Sequence, residues 1–336
     1  MRAAVYRGSG KVVVEDIPEL SAGPGEMLIR VRACGVCPTD LKKIKDGLLP
    51  PPRVYGHETA GEICALGGGL DAWKIGEKVA VYHHVGCGVC EECRRGDDVH
   101  CASYKRVGVS AGFEPAGGGY SQVVKVSPWI VAGGGVTKIP VGIHEEAAAF
   151  LEPVNTCVKA VQRADVNKDS KVLILGAGPI GLLMLLVCRS RGARVWVSDP
   201  RPDRVTAALS FGAMPLDMKP ETLDSVFVCA PSESAVQAAI GAVRPGGIIL
   251  LFAHTKMKDL VSVDAGDLCR NDKVLLGSYS SSVSAHAEAA DLIFSRKINP
   301  RSLITHRFSL EQTPEALGLA MEPREGCLKV MVLPNA

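Results

Sequence analysis

The chain has 336 residues, 47% hydrophobic and 22% charged, with 38 basic against 36 acidic side chains and a formal net charge of +2. That length predicts about two domains of roughly 150 residues each, and the ordinary globular composition excludes disorder as the starting assumption. The near-balance of charge gives no electrostatic case for a nucleic-acid or membrane-surface partner.

Met1-Arg2-Ala3-Ala4 enters a strand pattern without the apolar core of a signal peptide, which points to a cytoplasmic protein. Apolar runs between Gly- and Pro-rich turns predict short strands over Ala3–Tyr6, Lys11–Asp16, Met27–Ala33, Ala60–Leu66, Lys78–Tyr82 and Ser121–Val126, an irregular barrel-like β domain. A helix is predicted over Glu145–Ala164, and the pattern then changes. Lys171–Leu175, Arg194–Ser198, Ser225–Cys229, Gly247–Phe252 and Val274–Gly277 read as compact strands separated by helix-length stretches, which predicts a parallel sheet of βαβ units. The longest apolar run, Val172–Val187, is broken by Gly and Pro and falls short of the about 20 residues a spanning helix needs. The chain closes with a helix over Ala285–Phe294 and a strand over Cys327–Leu333.

Gly176-Ala177-Gly178-Pro179-Ile180-Gly181 follows the strand Val172–Leu175 and opens an apolar helical run. In that context Gly176 permits a tight turn, Gly178 lets backbone approach a pyrophosphate, and Gly181 lets helix pack on strand. The helix start at Pro179 and Ile180 offers free N–H groups and partial positive charge to phosphates. Asp199, 18 residues after Gly181, ends the next strand. There a carboxylate accepts hydrogen bonds from an adenosine ribose and repels a 2′-phosphate, or simply makes a turn before Pro200. Arg201 and Arg204 could hold a 2′-phosphate, and Arg204 could equally stack on adenine or bond the ribose. The carboxylate favours NAD over NADP.

Twelve cysteines in a chain this long do not make a disulfide scaffold. Cys87-x2-Cys90-x2-Cys93-x7-Cys101 places four thiols in one short stretch, which suits a closed tetrahedral zinc site or, as the competing reading, an iron–sulfur cluster. Cys37, the pair His57-Glu58, and Glu152 are dispersed. A thiolate, an imidazole and a carboxylate are the donors of a catalytic zinc, yet taken singly these are a core thiol, a turn histidine and a helix glutamate. Tyr120, like Trp73 and Trp129, reads as a packing aromatic, and His144, His254, His286 and His306 suggest no partner.

Cys34-Gly35-Val36-Cys37-Pro38-Thr39-Asp40, Gly56-His57-Glu58-Thr59-Ala60-Gly61, the four-cysteine stretch, Glu152-Pro153 and the Gly176 fingerprint resemble, in order and spacing, the zinc-dependent medium-chain alcohol dehydrogenases. The resemblance runs essentially end to end, through Gly326-Cys327-Leu328-Lys329-Val330, and glutamate followed by proline at 152 is most similar to the sorbitol- and threonine-dehydrogenase branch. It implies an α/β protein with a GroES-like irregular β-barrel catalytic domain (1–149 and 283–336) and a Rossmann doubly wound parallel sheet (150–282). It further implies a catalytic zinc on Cys37, His57 and Glu152, with Glu58 as a direct or water-exchanging ligand, and a structural zinc on Cys87, Cys90, Cys93 and Cys101. Asp40 would hold the His57 ring, Thr39 would take the substrate's hydroxyl proton, and the Gly176 turn with Asp199 and Arg204 would hold NAD. Lys329 would reach the cofactor phosphates or else point to solvent. The implied reaction is NAD-dependent oxidation of a secondary alcohol, such as a polyol, cyclitol, sugar or amino alcohol, by a homodimer or homotetramer. An NADP-dependent carbonyl reductase and a non-catalytic dinucleotide-binding protein are the alternatives. Two positions depart from the family: Lys42 stands where many members have a histidine, and Pro38 where glycine is common. His83 and His84 read as solvent-facing residues at a strand end or, if they line the cleft, as substitutes for that histidine.

Overall fold

A computed structural model describes residues 1–104, 108–114, 117–217, 222–253 and 260–336; His254 lies outside them. The chain forms two compact units, Met1–Glu152 with Ser282–Ala336, and Pro153–Ser281.

In the first unit, one sheet runs in the order Ile304–Ser309, Lys329–Leu333, Met27–Gly35, Glu58–Leu66, Lys78–Val81, Val136–Lys138, with Val123–Val126 and Val109–Ser110 branching from Met27–Gly35. A second sheet joins Lys11–Asp16, Arg2–Gly8 and Arg53–Val54. The β-branched runs of the sequence supply the shared interior, where Val5, Ile29, Val31, Ile63, Val79, Val124 and Ile130 are fully buried. These strands make the irregular barrel-like domain that the turn spacing predicts. Their register brings two distant stretches of chain together. Met27–Gly35 and Glu58–Leu66 pair antiparallel with Gly35 opposite Glu58 and Cys34 opposite Thr59, so the chain leaves one strand toward Cys37 beside the point where the other arrives from His57. The helix Pro38–Asp46 begins immediately after that exit.

The predicted helix Glu145–Ala164 is two helices, Glu145–Ala148 and Leu151–Arg163. Pro153 explains the break: in a continuous helix its ring would meet the carbonyl of Ala149, whereas in the first turn of a new helix its missing N–H costs nothing. Glu146 on the first of these helices is held by Arg301 and Arg307, which fastens the C-terminal segment to the rest of the unit.

The second unit is a five-stranded sheet, parallel throughout, in the order Arg194–Ser198, Lys171–Leu175, Leu223–Val228, Val243–Leu251, Val274–Gly277. The helix Pro179–Ser190 buries Leu182, Leu183, Met184, Leu185 and Val187, which is why its sequence is apolar almost all round. This is the doubly wound α/β sheet that the alternation of strands and helical stretches predicts. Among the described residues no helix is long and apolar enough to cross a membrane.

Candidate functional site

Cys37 caps the helix Pro38–Asp46 at its N-terminus, where the helix's partial positive charge favours anionic donors. His57 enters from Gly56, whose φ of +97° needs glycine and whose Cβ would strike Cys34 and Tyr120. The donor atoms of Cys37, His57 and Glu58 lie within 4.8 Å of one another, and so do those of His57, His83 and Glu152. The structure therefore brings the dispersed residues of the sequence into two triads that share His57. Glu152 stands in the first turn of Leu151–Arg163 and is buried.

A buried carboxylate fixes the shared histidine. Asp40 is fully buried, one turn into the helix that Cys37 caps, and its Oδ1 lies 2.9 Å from His57 Nδ1. The other oxygen, Oδ2, accepts a hydrogen bond from the Tyr120 hydroxyl at 3.1 Å. Burial works to raise the Asp40 carboxyl, but the His57 charge and hydrogen bond, with Lys43 and Tyr120, hold it below its ordinary value. Burial would likewise lower His57, and the charges of Asp40 and Cys37 outweigh it, so the ring is raised well above the usual histidine range. Burial, opposed by His57 and reinforced by Glu58, pushes the Glu152 carboxyl up to about 7. The sulfur, nitrogen and oxygen donors gathered here suit zinc.

Glu58 is already paired. Its carboxylate meets the ammonium of Lys329, which is 3% exposed and also donates to the Val36 carbonyl at 3.0 Å. A Cβ at Gly35 would collide with both partners, so glycine there makes room for the pair. Burial would lower the Lys329 ammonium, but Glu58 and Cys37 keep it raised. Lys329 is thus not the solvent-facing lysine the sequence allows: it is buried within the first unit against Glu58 and Val36. Pro38 and Thr39 are exposed in the first turn of the helix, and Lys42, half-buried, follows Thr39 at helical i, i+3 spacing.

Two further features emerge that sequence reasoning placed elsewhere. Tyr120, read as a packing aromatic, is fully buried and hydrogen-bonded to Asp40. His83 is half-buried and His84 likewise, rather than solvent-facing. They form a run of rings, with centroids 4.6 Å apart from His57 to His83, 4.1 Å from His83 to His84, and 5.3 Å from His84 to Tyr104.

The thiols of Cys87, Cys90, Cys93 and Cys101 converge within 4.8 Å, all free of disulfides. The Cys87 and Cys93 sulfurs are 4.0 Å apart, close to the about 3.8 Å that four sulfurs take around one tetrahedral zinc ion. An iron–sulfur cluster would hold its thiolates farther apart around a core of several atoms. Backbone N–H groups of Val89 and Cys90 draw the Cys87 thiol down to about 6.

In the second unit, Gly176 has a φ of +107° and donates its N–H to the Ser198 carbonyl at 2.8 Å. A Cβ on Gly181 would drive into the Gly176 carbonyl, whereas a Cβ on Gly178 would meet nothing closer than Arg204 at 3.8 Å. Gly178 therefore leaves an open ledge at the N-cap of Pro179–Ser190, with Pro179 and Ile180 starting the helix, which fits a pyrophosphate. Asp199 is engaged by backbone: its Oδ2 accepts from the Ala177 N–H at 2.7 Å and its Oδ1 from the Arg201 N–H at 2.9 Å. Arg204 Nη1 lies 3.8 Å from Asp199, while Arg201 forks onto Asp203.

Residues 23–140 match the family described as Alcohol dehydrogenase GroES-like domain, and residues 145–332 the family described as Glucose dehydrogenase C-terminus. Sorbitol dehydrogenase of Bacillus subtilis (strain 168) is 29% identical, over 100% of this chain and 98% of its own. L-threonine 3-dehydrogenase of Pyrococcus horikoshii is 30% identical, over 97% of this chain and 96% of its own. Among solved structures, a zinc-binding dehydrogenase from Sinorhizobium meliloti 1021 bound to NADP superposes with a TM-score of 0.89 at 25% identity, covering 99% of each chain.

Proposed function

The chain belongs to the zinc-type medium-chain alcohol dehydrogenases, on their sorbitol- and threonine-dehydrogenase side, and on that premise we propose that it oxidises a secondary alcohol with NAD as hydride acceptor. The observation that carries this reading is the pair of donor triads sharing His57. Cys37, His57 and Glu152 would hold zinc, which supplies Lewis acidity toward the alcohol oxygen. Asp40 keeps the His57 ring in one orientation and its Nδ1 occupied, so that Nε2 is the donor nitrogen. Tyr120 in turn keeps Asp40 from rotating. Thr39, exposed in the first helical turn, takes the substrate's hydroxyl proton as it releases its own to water, and Lys42 is the next polar group along that helix face. Cys87, Cys90, Cys93 and Cys101 would hold a second, structural zinc that leaves no position open.

The dinucleotide is assigned to the turn Gly176–Gly181. Gly178 and the N–H groups at the start of Pro179–Ser190 face the phosphates, and Asp199 favours a free ribose over a 2′-phosphate. Arg204 and the NADP bound by the Sinorhizobium relative support a second reading, an NADP-dependent carbonyl reductase. The names of the relatives favour a polyol or an amino alcohol as substrate. The deciding experiment follows NAD+ and NADP+ reduction by absorbance across polyols, cyclitols, amino alcohols and simple secondary alcohols, with and without a chelator. Chelator-sensitive turnover with NAD+ on one substrate group is the expected result. Turnover indifferent to the metal, or none with any alcohol, overturns the proposal.

A further inference from the structure

We infer that the buried ammonium of Lys159 sets which oxidation state of the dinucleotide the second unit prefers, disfavouring the oxidised ring against the reduced one; this rests on the dinucleotide reading proposed above. The topology of Pro153–Ser281 divides the binding edge into two halves. A dinucleotide lies across the carboxyl ends of the strands of such a sheet, where the strand order reverses. The Gly176 turn follows Lys171–Leu175, and Asp199 follows Arg194–Ser198 on one side of it. With the adenosine ribose at Asp199, the nicotinamide half falls on the other side, over Leu223–Val228, Val243–Leu251 and Val274–Gly277.

Two polar groups are buried at the carboxyl end of that side. Ser278 directly follows Val274–Gly277 and donates its N–H to the Leu251 carbonyl at 3.0 Å. It is 8% exposed, and its hydroxyl has no hydrogen-bond partner among the described residues. A buried hydroxyl left without a partner is costly, and a carboxamide, which both donates and accepts, would complete it. The next residue, Tyr279, accepts at its carbonyl from Lys159 Nζ at 2.9 Å. Lys159 is also 8% exposed, on the helix Leu151–Arg163, with Asn155 and Thr156 buried on the same face. The hydrogen bond to Tyr279 fixes its ammonium one residue beyond Ser278.

Charge then separates the two oxidation states. The oxidised nicotinamide ring carries a positive charge and the reduced ring carries none, whereas the pyrophosphate is equally charged in both. An ammonium near the ring therefore penalises only the oxidised dinucleotide; one near the pyrophosphate would help both alike. At an effective dielectric of about 20, two unit charges about 12 Å apart already change binding by about tenfold. Lys159 thereby tilts the bound couple toward its reduced form, the direction of alcohol oxidation.

The test is a set of dissociation constants, read by calorimetry on the full chain without alcohol. NAD+ and NADH form one pair, NADP+ and NADPH a second, and ADP-ribose is the reference that lacks nicotinamide. The wild type should bind the reduced member at least about tenfold more tightly than the oxidised one. In Lys159→Met and Lys159→Gln that ratio should fall by about tenfold, while ADP-ribose binding stays unchanged; Lys159→Arg should keep the wild-type ratio. A wild type without preference overturns the inference even if no variant folds. Equal weakening of both oxidation states and of ADP-ribose assigns Lys159 to the phosphates and also overturns it, as does an unchanged ratio. Binding of neither pair by the wild type overturns the dinucleotide reading itself.

Discussion

Tyr120 donates its phenolic hydroxyl to Asp40 Oδ2 at 3.1 Å, on the carboxylate oxygen opposite the one that faces His57. Replacing Tyr120 with phenylalanine keeps the ring and strips that bond, leaving one oxygen of a fully buried carboxylate unsatisfied at a cost of about 1–3 kcal/mol. The expected outcome for Tyr120→Phe is a folded protein whose metal affinity, read by chelator competition, falls by about 10–100-fold. An affinity equal to the wild type's would show that Asp40 does not depend on Tyr120.

Lys329→Met removes the ammonium and leaves the Glu58 carboxylate buried alone. Breaking one partner of a buried pair costs about 3–5 kcal/mol, mostly the penalty of the stranded charge. Urea unfolding should show that loss in the single variant and recover much of it in the Glu58→Gln/Lys329→Met double variant. If the double variant is as unstable as the sum of the two singles, the pair is not coupled.

Acid should weaken the first unit in two stages. Burial lowers His286 from 6.5 to about 4, beside Tyr82 and hydrogen-bonded to Thr137. Between those values the unfolded chain takes a proton that the folded one does not, so stability falls as pH drops from about 6.5 to about 4, by at most about 3 kcal/mol. His286→Gln should flatten that part of the pH–stability curve measured by thermal unfolding, and an unchanged slope would remove His286 as its cause.

The second stage belongs to Glu146. Burial raises its carboxyl, and hydrogen bonds and charge from Arg307 and Arg301 more than reverse this, to about 2 from an ordinary 4.5. The stabilisation is complete above about 4.5 and disappears as pH falls toward 2. Both arginines are at least 40% exposed, so screening by solvent cuts the loss to about 2 kcal/mol. Glu146→Gln should show most of that loss already at pH 7 and no further drop between pH 4.5 and 2; a drop equal to the wild type's would point to other carboxylates.

Asp199 accepts from the Ala177 N–H inside the glycine turn, and the proposed function also gives it the ribose of the dinucleotide. Asp199→Ala is expected to weaken NADH binding by at least about tenfold, roughly one charge-assisted hydrogen bond, and to shift preference toward NADPH. Titration of both dinucleotides by fluorescence checks it. Loss of affinity for both in equal measure would confine Asp199 to shaping the turn.

What the sequence disclosed was what chemistry confines to short stretches. The Gly176 turn is readable because strand, turn and helix are contiguous and each glycine has its own steric reason. The Cys87–Cys101 lobe is readable because its donors are neighbours in the chain. Tyr120, His83 and Lys329 were not, because antiparallel register brings each to the site from a distant strand or loop, and no local pattern encodes which strands pair. Lys329 did leave a trace: it opens an apolar run whose residues are buried on both faces, and a charge in such a strand needs an opposite charge nearby. The break between Ala148 and Leu151 was also available from Pro153, though the helical composition on both sides hid it.

The strand Lys329–Leu333 lies between Ile304–Ser309 and Met27–Gly35, inside the sheet of the first unit rather than at its rim. Pro153–Ser281 is therefore a contiguous insert that can fold as it leaves the ribosome, while the unit begun before it waits for the segment that follows the insert. A nascent chain halted before Lys329 holds every expected metal donor, yet lacks both the ammonium that balances Glu58 and the strand that closes the sheet beside Cys34. The proposed metal site is thereby expected to mature only once Lys329–Leu333 has joined the sheet.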